Sequence, residues 1–151
     1  AVLPSALAET AHLPGGTILI GHRLVEDHES PEVLAGYLSA EALRRDTKRP
    51  LARLLAAVPF RASLALLSTG RLREIDLQRM AEGLVAARPE PVSDDALLRE
   101  MTRTAVAPAP YGYARDISGE TTIAFIEADP GNTRPVLDDT DWIALLGICG
   151  E

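Results

Sequence analysis

The chain has 151 residues, 46% of them hydrophobic, and a formal net charge of -7. That length suits a single domain with its own core, and a 25% share of charged residues is a globular rather than a disordered balance. The acidic surplus, with arginines scattered among Asp and Glu, excludes a phosphate-tracking nucleic-acid surface, and the single cysteine, Cys149, excludes an internal disulfide and a paired-thiol zinc site.

Residues Ala1 to Thr10 are apolar and irregular. His12-Leu13-Pro14-Gly15-Gly16 is a turn signal, and the run Thr17-Ile18-Leu19-Ile20, bounded by Gly21, predicts a strand. Ser30-Pro31-Glu32 combines a capping hydroxyl, a proline at the first helical position and an acid in the first turn. With Val33, Leu34, Tyr37, Leu38 and Ala42 at helical spacing, it predicts an amphipathic helix to about Arg45. A second helix starts at Pro50, uses Leu51, Leu54, Leu55 and Val58, breaks or kinks at Pro59, and continues over Ala62 to Leu67 before stopping near Gly70.

Leu72 to Ala87 predicts a further helix with Leu77, Met80, Ala81, Leu84 and Val85 on one face. Ser93 caps a shorter one containing Leu97, Leu98 and Met101. Ala105 to Gly119 reads as a loop rich in Pro, Tyr and Gly, and Thr121 to Ile126 alternates like a strand. Asp129-Pro130-Gly131-Asn132 is a turn, and Asp138 to Cys149 closes the chain as a helix carrying Trp142. The richest apolar stretch, Leu51 to Leu67, is interrupted by Arg53, Pro59 and Arg61, so no segment spans a membrane. The chain starts at Ala1 without Met, which fits a processed form or a piece of a longer parent, membrane-anchored or periplasmic parents included.

One succession of residues carries chemistry. Leu13-Pro14-Gly15-Gly16-Thr17-Ile18-Leu19-Ile20, an acidic spacer, and Val33-Leu34-Ala35-Gly36-Tyr37-Leu38-Ser39-Ala40-Glu41 resemble the H-E-x-x-H zinc metallopeptidases that include the membrane heat-shock proteases and the prenyl-protein endopeptidases. In that family two His four apart on one helical face grip a zinc ion, and the Glu between them works on the zinc-bound water. Here the corresponding run is Ala40-Glu41-Ala42-Leu43-Arg44. Glu41 stands in the general-base slot, but Ala40 has no donor atom and Arg44 is a permanent cation that repels a metal. The family's third ligand, a Glu in an E-x-x-A-D pattern, corresponds to Gln78 in Gln78-Arg79-Met80-Ala81-Glu82. The resemblance covers the first half of the chain, and it implies a degenerate member lacking all three zinc ligands. The tail, from Pro110-Tyr111-Gly112-Tyr113 to Asp141-Trp142, resembles uncharacterised bacterial proteins.

Other residues are weighed against ordinary roles. Glu41 is either a relic base or a helix-surface Glu beside Arg44 and Arg45. His12, His22 and His28, helped by Glu26 or Asp27, would have to converge to form a metal site, and nothing in their spacing imposes that. Ser68, Ser118 and Cys149 lack a nucleophile signature, and Cys149 sits in an apolar run that predicts a packed thiol. Tyr111, Tyr113, Arg115 and Glu120 either line a binding surface or anchor their loop to the core.

The expected fold is α+β, several helices on a small, mostly antiparallel sheet containing Thr17 to Ile20 and Thr121 to Ile126, with the first helix across the sheet as in the peptidase family. The expected function is a non-catalytic peptidase-like binding or scaffold module with no cofactor. The edge Gly16-Thr17-Ile18-Leu19-Ile20 would take an extended peptide or protein segment by strand addition. The alternatives are a divergent metal-dependent hydrolase using Glu41 with ligands from outside the family pattern, and a purely structural domain that pairs with a second copy through apolar helix faces.

Overall fold

The computed structural model describes residues 2–3, 7, 9–13, 16–47, 55–56, 58–86, 89–128 and 131–149. Among them are three strands, β1 (Val2–Leu3), β2 (Thr10–His12) and β3 (Ile18–Gly21). Among the described residues eight helices can be bounded: α1 (His22–Glu26), α2 (Pro31–Thr47), α3 (Phe60–Thr69), α4 (Glu74–Ala86), α5 (Asp94–Thr104), α6 (Pro108–Arg115), α7 (Ile123–Ile126) and α8 (Asp139–Cys149). The architecture is α+β, and no helix among the described residues is long and apolar enough to cross a membrane.

The sheet has the order β1-β3-β2. β2 and β3 form an antiparallel hairpin in the register Thr10↔Ile20, Ala11↔Leu19 and His12↔Ile18, closed where Leu13 N donates to Thr17 O at 2.8 Å. β1 runs parallel to β3, with Val2 opposite Ile20 and Leu3 opposite Gly21. The start of the chain, irregular by sequence pattern, thus supplies both neighbours of the predicted strand. Two- and three-residue strands are too short to display a period of two, so their pairing partner creates them.

Several boundaries follow the local chemistry of the sequence. Pro31 opens α2, and the Ser30 hydroxyl donates to the Glu32 carboxylate beside it. Pro59 is the N-cap residue of α3; of the segment predicted from Pro50, only Leu55, Ala56 and Val58 are among the described residues, and Leu55 and Ala56 are helical. Gly70 ends α3 in the left-handed conformation. Ser93 caps α5 by accepting from Ala96 N, and Asp138 accepts from Asp141 N at the start of α8. Pro14 and Gly15 of the first turn, and Asp129 and Pro130 of the last, lie outside the described residues.

Two expectations are corrected. The segment Ala105 to Gly119 is not a loop, because it contains α6. Pro108 and Pro110 both fall in the first turn of that helix, where a missing N–H costs nothing. Thr121 to Ile126 is not a strand, because Ile123–Ile126 is a helical turn. The local hydrogen bonds decide this case. The Asp116 carboxylate accepts from the N and hydroxyl of both Ser118 and Thr121, and the Thr122 hydroxyl donates to Gly112 O. These bonds wind the chain back on α6 and insert Phe125, fully buried, beneath it. The proposed apolar face of α4 is also largely open, with Leu77 and Ala81 exposed and Met80, Leu84 and Val85 half-buried.

The core gathers Leu24 and Val25 from α1, Val33, Leu34 and Ala40 from α2, Leu97 and Met101 from α5, Tyr111 from α6, Phe125 from α7 and Trp142 from α8. α2 is its centre: it packs on α5, α6 and β2, while α8 packs on α1. A glycine makes the closest of these approaches possible. A Cβ at Gly36 would stand 2.6 Å from Tyr111 Cγ and 2.8 Å from Tyr111 Cβ, well inside van der Waals contact. On the other side of the same tyrosine, a Cβ at Gly112 would meet Phe125 Cβ at 2.9 Å.

Gly36→Ala therefore trades a gain of about 1 kcal/mol in helix propensity for an overpacking cost of about 1–3 kcal/mol. Because the atoms it meets belong to a ring fixed on both faces, the expected net effect in urea unfolding is destabilisation. An unchanged or raised midpoint would show that α6 can move away from α2 at little cost.

Candidate functional site

α2 turns one face toward α6. Tyr37, Ala40 and Arg44, at helical spacings of three and four, lie on that face, and Tyr111 and Arg115 answer from α6. Between them is a cavity of about 220 Å³, closed further by Glu9 before β2, by the segment Pro89-Glu90-Pro91-Val92 before α5, and by Leu97. Arg44 Nε donates to Glu90 O at 2.8 Å and so ties that proline-rich segment to α2 beside the cavity.

Tyr37 and Tyr111, which line the cavity, belong to an aromatic ladder. His28 stacks on Tyr37 at 6.4 Å between ring centroids, Tyr37 meets Tyr111 edge-on at 5.1 Å, and Tyr111 meets Phe125 edge-on at 5.5 Å. The Arg115 guanidinium lies 5.7 Å from the Tyr111 centroid and 5.9 Å from that of Phe125. Arg115 also bonds Asp94 across the surface at 3.2 Å.

Glu41 is not the helix-surface acid of the ordinary reading, although it does pair with Arg44. It is 5% exposed, so it is not a surface residue. Its carboxylate accepts from the Thr10 hydroxyl at 3.2 Å and from Arg44 Nη1 at 3.1 Å. The helix thus buries its acid against β2 and neutralises it with the arginine one turn on. Ala40 and Arg44, the positions that the peptidase pattern fills with histidine, line the cavity, and Glu41 does not. Gln78 is an exposed residue of α4 bonded to Glu82 at 2.9 Å, and it is not brought to this cavity.

The remaining candidates disperse. His22 opens α1 and sits 3.6 Å from Glu26, His28 stacks on Tyr37, and His12 lies on β2 with its Nδ1 buried and without a hydrogen-bond partner. Among the described residues no three His, Cys, Asp or Glu side chains form a group able to hold a metal ion. Ser68 donates to Ala65 O and Ser118 to Asp116, so each serves local structure. The side chain of Cys149 lies outside the described residues. Tyr111 is the buried anchor of its segment, whereas Tyr113 is 50% exposed and Glu120 is exposed. An exposed apolar stripe runs along α3 at Phe60, Leu64 and Leu67, the kind of face on which pairing of two copies would rest.

The sheet order narrows the peptide-accepting edge expected from sequence. β3 is the middle strand: β2 occupies one side of Ile18, Leu19 and Ile20, and β1 occupies the other at Ile20. Gly16 and Thr17 are exposed, but they belong to the hairpin turn. Strand addition at Ile20 would have to displace β1 or β2, whereas at Ile18 and Leu19 the pairing covers the side held by β2.

Sequence reasoning named Ala40, Arg44, Tyr111 and Arg115 but did not join them, and it passed over Glu9, Val92 and the polar role of Tyr37. One signal was available: Tyr37, Ala40 and Arg44 share a helical face. Their partners on α6 were hidden in a segment read as loop.

The cavity's electrostatics set its two tyrosines apart. Burial pushes the Tyr37 phenol up to about 12, and the Glu9 charge adds to the effect while Arg115 and Arg44 oppose it. Burial raises Tyr111 as well, but there the opposition of Arg115 and Arg44 outweighs the effect of Glu9. A phenol whose folded pKa lies above its ordinary 10.0 contributes stability that is complete below that pH and is lost as pH rises through the folded value. Stability should therefore fall between about pH 10 and pH 12. Tyrosinate absorbance should show a phenol titrating near the top of that window, and Tyr37→Phe should remove it. Titration of every tyrosine at the ordinary value would contradict the buried, acid-flanked position of Tyr37.

Comparison with family models, curated proteins and solved structures gives no match to this chain.

Proposed function

We propose that this chain is a non-catalytic binding module on a peptidase-like frame, in which a small polar ligand occupies the cavity between α2 and α6. The observation that carries this reading is the division of labour on α2. Glu41, in the general-base slot, is held by Thr10 and Arg44, while Ala40 and Arg44, in the two histidine slots, face the cavity. Alanine offers no ligand atom, and the arginine places a positive charge where the family pattern would have a metal. The gluzincin-like frame itself rests on the motif resemblance and on the hairpin-then-helix order of β2, β3 and α2. Peptide capture by strand addition has less room than the sequence suggested, because β2 flanks β3 along Ile18 to Ile20 and β1 flanks it at Ile20.

The cavity has the make-up of a recognition site. Ala40, Leu97 and Val92 give its lining an apolar part beside charged and hydroxyl-bearing residues that can fix orientation. At about 220 Å³ it is smaller than most drug-binding pockets, so the ligand is a small molecule.

Glu41→Gln separates this reading from catalysis. The variant should lose about 1–3 kcal/mol of stability, because Arg44 keeps its charge and loses its carboxylate. Neither the parent protein nor the variant should hydrolyse unstructured peptides, with or without added zinc. Hydrolysis by the parent that Glu41→Gln abolishes would establish a catalytic Glu41 and overturn the proposal.

A further inference from the structure

The chain shares its charges unevenly along the sequence. Residues 47–73 hold six of the 15 Lys and Arg, at Lys48, Arg49, Arg53, Arg61, Arg71 and Arg73, and none of the 22 acids. The rest of the chain sets the other nine cations against all 22 acids. A basic, Leu- and Ala-rich stretch in an acidic chain is the pattern of a surface that meets a membrane or a polyanion. Lys48, Arg49 and Arg53 lie outside the described residues, and the structure places the other three. α3 carries Phe60, Leu64 and Leu67, spaced four and three apart and so on one face, and they are 83%, 56% and 63% exposed. Ala62 is buried, and the Ser63 hydroxyl donates to Leu55 O, so the helix packs by small residues and turns this stripe outward. Arg61 follows Phe60, about 100° further round the helix.

A cleft of about 390 Å³ lies between α3 and the start of α4. Arg61, Arg71 and Arg73 line it together with Ala62, Ala65 and Leu72, and its single acid is Asp76. Asp76 is already engaged: it is buried, Arg73 Nε donates to its Oδ2 at 2.8 Å, and Arg79 Nη1 lies 3.7 Å from its Oδ1. Glu74 opens α4 next to Arg73 but does not line the cleft. Arg61 and Arg71 are exposed, and among the described residues neither forms an ion pair. A second copy docking through the same face would set these arginines against themselves. A nucleic-acid backbone would answer the arginines but give Phe60, Leu64 and Leu67 nothing apolar to enter. An anionic bilayer answers both, because headgroup phosphates meet guanidiniums at the interface and apolar side chains enter the acyl boundary beneath. We infer that the α3 face docks on an anionic lipid surface, with Phe60, Leu64 and Leu67 inserted and Arg61 and Arg71 on headgroup phosphates. Arginine suits the second role because its apolar stem lies along the stripe while its head stays at the phosphate level. The cleft shares no lining residue with the cavity between α2 and α6, and the inference stands without the binding-module reading.

The test uses the whole chain with vesicles of phosphatidylcholine alone and of phosphatidylcholine mixed with phosphatidylglycerol. Co-sedimentation should show binding to the mixed vesicles about tenfold or more above that to phosphatidylcholine alone, weakening as salt rises. Arg61→Gln should weaken it about fivefold. Leu64→Gln should weaken it about tenfold or more. Both variants should keep a thermal midpoint close to the parent's, because both side chains are exposed. Equal binding to the two vesicle types, or none to either at low salt, would overturn the proposal. An oligonucleotide that binds where vesicles do not would assign the face to nucleic acid. A dimer that Leu64→Gln dissolves, without vesicle binding, would assign it to a second copy. Inorganic phosphate that raises the midpoint, again without vesicle binding, would reduce the site to one for a free anion. Each of these three results also overturns lipid docking, and none bears on the cavity between α2 and α6.

Discussion

The contact of the Tyr111 ring with the backbone of α2 at Gly36 sets the geometry of everything around it. Without a side chain at position 36, α6 approaches closely enough for the ring to lie on the helix. That approach brings Tyr111 edge-on to Tyr37 and seats Phe125 behind it. It also fixes how far Arg115 stands from Arg44, and so defines the cavity. A glycine inside a helix is intrinsically unfavourable by about 1 kcal/mol, so its presence in mid-α2 needs a packing reason, and Tyr111 supplies one.

The second constraint is the buried charge of Glu41. An acid removed from water must be paired or hydrogen-bonded, and here Thr10 and Arg44 do both. Arg44 then performs three tasks: it neutralises Glu41, holds Glu90 O beside the cavity and lines the cavity itself. An arginine can divide itself this way because its planar fork carries five donors. A histidine at the same position could satisfy Glu41 or a ligand, but it could not also reach Glu90. Arg44 therefore organises the pocket between α2 and α6.

The sequence was legible where local chemistry decides structure. Ser30-Pro31-Glu32, Pro59, Gly70 and Ser93 mark helix ends because capping and proline sterics act within a few residues. It was illegible where long-range contacts decide. Prolines and tyrosines at 108–113 argue for a loop until the helix they open finds α2 and α7 to pack against. The alternation over Thr121 to Ile126 imitates a strand because Phe125 must be buried, while Asp116 and Thr122 have already wound the chain into a turn. The covered edge of β3 could not be foreseen, since its neighbours are strands of two and three residues. The helical face of Tyr37, Ala40 and Arg44 was readable, but its meaning depends on α6.

The most direct test of the site on α2 is a zinc titration of the tag-free, chelator-treated chain, followed by calorimetry and by the thermal midpoint. The account predicts no stoichiometric site and no shift of the midpoint, because the α2 face offers zinc an alanine and an arginine. One zinc per chain, with a raised midpoint, would contradict it.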